Sequence, residues 1–136
     1  MPTKILCATD GSDHSNHAAA FAARLAKQAG AELIYLTVNP VVLARGTQAP
    51  LFEDKDVKKA LAAAAQVAKH VGVKDIKCAD ASARDVGGAV VAYAEENGVS
   101  HVVVGSGGKG ATSRLLIGSV SKDVVNKAHC PVTVVR

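Results

Sequence analysis

The stretch His101-Val102-Val103-Val104-Gly105-Ser106-Gly107-Gly108-Lys109-Gly110-Ala111-Thr112-Ser113-Arg114-Leu115-Leu116-Ile117-Gly118-Ser119 runs from a β-branched segment through a glycine-rich turn into a helix-like segment. The valines read as a buried strand. Gly105 and Gly108 are separated by two residues, and nine residues separate Gly108 from Gly118-Ser119. Glycine at a strand end lets a ligand approach the backbone, because no Cβ stands in the way. A Gly-Ser pair within a helical segment offers an N–H and a hydroxyl to an anion. Strand, glycine turn and helix together describe a phosphate cradle.

Two other glycine patterns fit this stretch poorly. Gly105-x-Gly107-x-x-Gly110 matches the dinucleotide fingerprint. That fingerprint belongs to a first βα turn, with an acidic residue about 20 positions on. Here the strand that follows is the last and ends in Arg136. A P-loop requires lysine directly after its second glycine, and Ala111 stands there.

Outward from this stretch, the chain alternates strand and helix signals. Residues 5–8 form a short apolar run broken by Thr9-Asp10-Gly11-Ser12. Ser12 or Asp13 can cap a helix with Ala18, Ala22, Leu25, Ala26 and Ala29 on one face, ended by Gly30. Residues 33–38 read as a second strand, closed by Pro40. Residues 39–53 have no clear period and read as a connection. From Asp54 a second helix carries Val57, Leu61, Ala64, Ala68 and Val71 on one stripe, and Gly72 ends it. Residues 73–79 read as a third strand nearer an edge, because Lys74, Asp75 and Lys77 interrupt it. Ser82 with Asp85 reads as a capping box for a third helix that ends near Asn97-Gly98. Residues 99–104 give the fourth strand, 113–128 a fourth helix and 132–135 the last strand. The β-α-β-α-β-α-β-α-β order predicts one α/β domain over residues 1–136, with a mostly parallel sheet and helices on both faces.

Composition agrees with buried parallel strands. Hydrophobic residues make up 49% of the 136 and aromatics only 3%, so the core must be aliphatic and alanine-rich. No apolar run approaches the ~20 residues of a membrane span, and the opening residues carry no secretory signal. Three cysteines, Cys7, Cys78 and Cys130, argue against a disulfide framework and for a reducing, cytoplasmic compartment. Each reads as a small buried residue. The net charge of +4 is scattered rather than clustered, which argues against a nucleic-acid partner. None of the five histidines forms a metal-ligand set by spacing, and no residue stands out as catalytic.

The spacing Gly-x2-Gly-x9-Gly-Ser resembles the nucleotide-binding signature of the ATP-binding branch of the universal stress protein family. The opening Lys4-Ile5-Leu6-Cys7-Ala8-Thr9-Asp10-Gly11-Ser12 is similar to that family's first strand and turn. Leu115-Leu116-Ile117-Gly118-Ser119-Val120-Ser121 and Cys130-Pro131-Val132-Thr133-Val134-Val135 are similar to its last helix and strand. The pattern departs at Cys7, where an aliphatic residue is usual, and in residues 80–85, which lack the Gly-x-Pro often found there.

The resemblance implies a Rossmann-like (adenine nucleotide α-hydrolase-like) domain with a five-stranded parallel sheet in the order 3-2-1-4-5. It implies that Gly105 and Gly108 present backbone to ribose and phosphates. Gly118, Ser119, Val120 and Ser121 would hold the phosphate chain. Ala8, Thr9 and Asp10 would line the nucleoside side, and Val38 would contact adenine. Asp10 could also meet Mg²⁺ carried by ATP, although an Asx turn with Gly11 explains it equally well. Lys109 and Arg114 could add charge. The last strand, 131–136, would pair two copies into a homodimer. The expected role is that of an ATP-binding regulator of the stress response. A nucleotide-free dimeric interaction module and a slow ATPase are the alternatives.

Overall fold

The structure, a computed structural model, describes residues 3–107 and 118–136. Six strands and four helices follow in the order β1 (Lys4–Ala8), α1 (Asp13–Ala29), β2 (Glu32–Ala44), β3 (Thr47–Pro50), α2 (Asp54–Val71), β4 (Ile76–Ala83), α3 (Val86–Glu96), β5 (His101–Gly105), α4 (Ser119–Lys127) and β6 (Val132–Val135). The five long-range strands pair in parallel as β4-β2-β1-β5-β6. Leaving β3 aside, this is the 3-2-1-4-5 order expected of the α/β class. The register puts Ile5 beside both Leu33 and His101, and Cys7 beside Tyr35 and Val103.

Each central strand feeds two cores, because successive side chains point to opposite faces. Ile5, Cys7, Leu33, Tyr35 and Val103 face α1 and α2, while Leu6, Ile34, Leu36, Val102 and Val104 face α3 and α4. All ten are essentially inaccessible to water. The α1 face is almost wholly alanine: Ala18, Ala19, Ala22, Ala23 and Ala26 are all buried. Such small side chains let the helix lie close to the sheet. Tyr35 fills the remaining depth and donates its hydroxyl to the Ala19 carbonyl at 2.8 Å.

The helix ends follow the sequence signals. Ser12 caps α1 by accepting from Ser15 N–H, and Gly30 and Gly72 close α1 and α2 in the left-handed conformation, at φ 63° and 104°. Ser82 does not cap α3; it lies in β4, paired with Asn39. Asp85 is the cap itself and accepts from Gly88 N–H at 3.0 Å. That N–H, followed by the Lys127 ammonium 3.6 Å away, holds the Asp85 carboxyl below the usual carboxylate range.

The largest departure from expectation is at residues 39–53. They are not a connection without structure, and the sheet has six strands rather than five. β2 runs on through Pro40 to Ala44, turns at Arg45 and Gly46, and returns antiparallel as β3. Both turn residues have positive φ, 51° and 77°, the signature of a two-residue type I′ hairpin. Pro40 reads as a strand terminator because it has no N–H to give. Its carbonyl is still an acceptor, and Leu51 N–H takes it at 2.7 Å.

The cysteines differ from one another. Cys7 is buried, and burial pushes its thiol well above the ordinary range. Cys78 is exposed and Cys130 half-buried, contrary to the expectation for all three. Cys78 lies on β4, which pairs only with β2 among the described residues and so forms a sheet edge. Among these residues no helix is long and apolar enough to cross a membrane.

Candidate functional site

A cleft of about 440 Å³ opens beyond the carboxyl ends of β1 and β5 and against residues 36–40 of β2. This is where the strand order reverses, with connections leading to opposite faces of the sheet. Ala8, Thr9, Asp10, Val38, Gly105, Gly118, Ser119, Val120 and Ser121 all line it. Nine sequence-selected residues from four separate segments thus converge on one cavity. Gly108, Lys109, Arg114 and the segment 113–117 lie outside the described residues.

The β1 side is held by a small polar network. Thr37 donates its hydroxyl to the Thr9 carbonyl at 2.9 Å, tying the middle of β2 to the chain just beyond β1. Ser15, in the first turn of α1, is the hub. Its oxygen accepts from the Thr9 hydroxyl at 3.1 Å and from Asp10 N–H at 3.2 Å, and its own hydroxyl donates to the Ser12 carbonyl. Asp10 forms the anticipated Asx turn, accepting from Ser12 N–H at 2.9 Å across Gly11, whose φ is 83°. The carboxylate is therefore presented at the cleft by a fixed backbone. Among the described residues no group of three or more His, Cys, Asp or Glu side chains could hold a metal by itself.

The β5 side is built on close backbone approach. A Cβ on Gly105 would lie 2.8 Å from the His14 carbonyl oxygen, so β5 meets the first turn of α1 with no room between. Gly118 is not inside a helix, as the sequence suggested, but caps its N-terminus. Its N–H donates to the Ser106 carbonyl at 2.5 Å. No side chain caps α4, and its first turn carries no acid. By contrast, α1 has Ser12 and Asp13 at its start, α2 has Asp54 and Asp56, and α3 has Asp85. The first-turn N–H groups of α4 have no intrahelical acceptor and carry the positive end of the helix dipole into the cleft. This suits an anion. The Ser121 hydroxyl is directed elsewhere: it donates to the Gly105 carbonyl, pinning α4 to the end of β5.

The β2 side is apolar. Leu36, Val38 and Pro40 from β2, Leu51 and Phe52 from the segment after β3, and Val86 and Val90 from α3 line it. Sequence reasoning found only Val38 among these. Ser15 was also missed, because its partners come from a turn whose path depends on the fold. Leu51-Phe52 did leave a trace, an apolar pair stranded between Pro50 and the charged start of α2. The apolar side lies over β2 and the open helix terminus over β5, with β1 between them. That is a separation of two strand spacings, about 10 Å.

The sequence model of the Universal stress protein family matches residues 1–136. A universal stress protein of Methanocaldococcus jannaschii is 35% identical, over 98% of this chain and 81% of its own length. Among solved structures, a universal stress protein of Archaeoglobus fulgidus superposes with a TM-score of 0.77 at 23% identity, covering 100% of this chain and 95% of its own. A universal stress protein determined in complex with cAMP superposes with a TM-score of 0.76 at 27% identity, covering 98% of this chain and 96% of its own.

Proposed function

The chain belongs to the universal stress protein family, and from that premise we propose that its cleft binds ATP and that it acts as a nucleotide-dependent regulator of the stress response. The observation that carries this reading is the convergence of Ala8, Thr9, Asp10, Val38, Gly105 and the Gly118-Ser119-Val120-Ser121 turn on one cavity. The cavity has an apolar side and a helix N-terminus that no side chain caps. A flat base suits the first and a phosphate chain the second. The complex of a related protein with cAMP supports an adenine nucleotide. Asp10, on its Asx turn, is the group we assign to the ribose hydroxyls or to Mg²⁺ entering with ATP. Gly108 is assigned to the phosphates with Gly105.

A thermal melt with and without ATP and Mg²⁺ tests the reading. Ligand at a hundred times its dissociation constant stabilises the native state by about 2.7 kcal/mol, a rise of about 9 °C for a chain of this length. An unchanged melting temperature at millimolar ATP would overturn it and leave a nucleotide-free interaction module.

The same reading places a homodimer contact at residues 131–136. β6 pairs only with β5 among the described residues, and its four side chains are half-buried. An edge of this kind is a template for strand pairing, and a two-fold axis makes that pairing self-complementary. Sedimentation at micromolar concentration is expected to give twice the monomer mass of 13.8 kDa; a monomer would remove the contact.

A further inference from the structure

The hairpin of β2 and β3 leaves the body of the domain as an arm. From Leu43 to Leu51 every residue is exposed. An isolated two-stranded hairpin is marginal in water, so its root must be fixed by something else. Asn39 does this. Its side-chain amide is almost fully buried, donates Nδ2 to the Phe52 carbonyl at 2.8 Å and accepts from Phe52 N–H at 2.9 Å. One side chain thus clips both backbone groups of Phe52 to β2 where the arm leaves the parallel sheet. The Leu51 N–H bond to the Pro40 carbonyl, 2.7 Å, closes the root beside it.

What the clip holds in place is a wall. Leu51 and Phe52 both line the cleft on its β2 side, yet Leu51 is 54% exposed. It is one of four exposed large apolar side chains among the described residues, and of these only Leu43 is more exposed. An apolar group held at the lip of a cavity by hydrogen bonds at its root is a surface waiting to be covered.

We propose that Leu51 and Phe52, clipped by Asn39, form the wall on which the nucleotide base lies, and that this wall gives the cleft its preference for a purine over a pyrimidine. The inference rests on the nucleotide reading above. A purine presents the larger flat apolar face, so it gains more from the wall than a pyrimidine does. The phosphate end, two strands away, is the same for both. Leu51 and Phe52 are specificity-determining contacts, and Asn39 is a positioning residue that acts through them.

The test is the ratio of dissociation constants for UTP and ATP, each with Mg²⁺, in the native chain and in Leu51→Ser and Asn39→Ala. The native chain is expected to favour ATP, and both variants to reduce that ratio by about fivefold. Leu51→Ser alters an exposed side chain, so its unliganded melting temperature should stay within about 2 °C of the native value. A general loosening of the cleft would weaken both nucleotides alike. A ratio unchanged in Leu51→Ser overturns the proposal, as does a native chain with no preference. A native chain that binds neither nucleotide overturns the ATP reading and the wall together; one that binds both equally overturns the wall alone.

Discussion

A Gly118→Val variant is expected to fold and, on the proposed ATP reading, to lose the rise in melting temperature with Mg-ATP. The backbone at Gly118 has φ −64°, which any residue adopts, so the substitution carries no conformational penalty of its own. The difficulty is space. A Cβ there would already stand 3.1 Å from the Gly107 carbonyl oxygen, and valine adds two methyl groups. The carbonyl must retreat, or the start of α4 must move away from the end of β5. Either change spoils the alignment of first-turn N–H groups with the cavity, on which an anion depends. The rise of about 9 °C expected for the native chain should fall to under about 2 °C. Gly118→Ala, with only the Cβ to place, should retain part of it. A valine variant with the full native rise would show that the nucleotide does not use this turn.

Gly105→Val is expected to act on the fold itself. Here the added Cβ would lie 2.8 Å from the His14 carbonyl oxygen, 3.0 Å from its carbon and 3.3 Å from Ser15 N. All three are backbone atoms in the first turn of α1, so no side chain can swing aside. Relief requires α1 to lift from β5, yet the alanines along α1 hold it close to the sheet over most of its length. Overpacking of this kind costs about 3 kcal/mol, a fall of about 10 °C in melting temperature. The denaturant midpoint should fall with an unchanged slope, the mark of lost stability in an unaltered unfolded state. A variant as stable as the native chain would mean that β5 and α1 are not packed as described. The Ser15 hub sits at the same contact, so ATP affinity should fall as well.

The parts of the fold readable from sequence were those governed by local chemistry. Gly30 and Gly72 ended helices because only glycine adopts that conformation without cost, and the alanine stripe of α1 declared its buried face at helical spacing. The spacing around Gly105 and Gly118 led to the cleft because close backbone approach leaves few residue choices. The hairpin arm was hidden by Pro40 and Pro50, which look like breaks when only their missing N–H is considered. Pro40 remains within the strand because its carbonyl is still used. The roles of Asn39 and Ser15 could not be read at all. Each depends on a backbone group brought close by the fold, 13 residues along the chain for Asn39 and Phe52. Asp85 was located correctly but given to the wrong partner, since serine in an edge strand and serine at a helix cap look alike in sequence.

The tight turn at Arg45-Gly46 has a consequence for how this part of the chain can change in length. The facing pairs Val41–Pro50, Val42–Ala49, Leu43–Gln48 and Ala44–Thr47 are counted from that turn. Facing pairs alternate between hydrogen-bonded and non-hydrogen-bonded, and a two-residue turn closes on a hydrogen-bonded one, so adding two residues to each strand lengthens the arm by one full period of the ladder and leaves Leu51 and Phe52 where they were. A single added residue shifts one strand against the other and turns every side chain beyond it to the opposite face. Growth of the arm is therefore quantised in pairs on each strand, and an odd insertion is tolerable only where a bulge absorbs it.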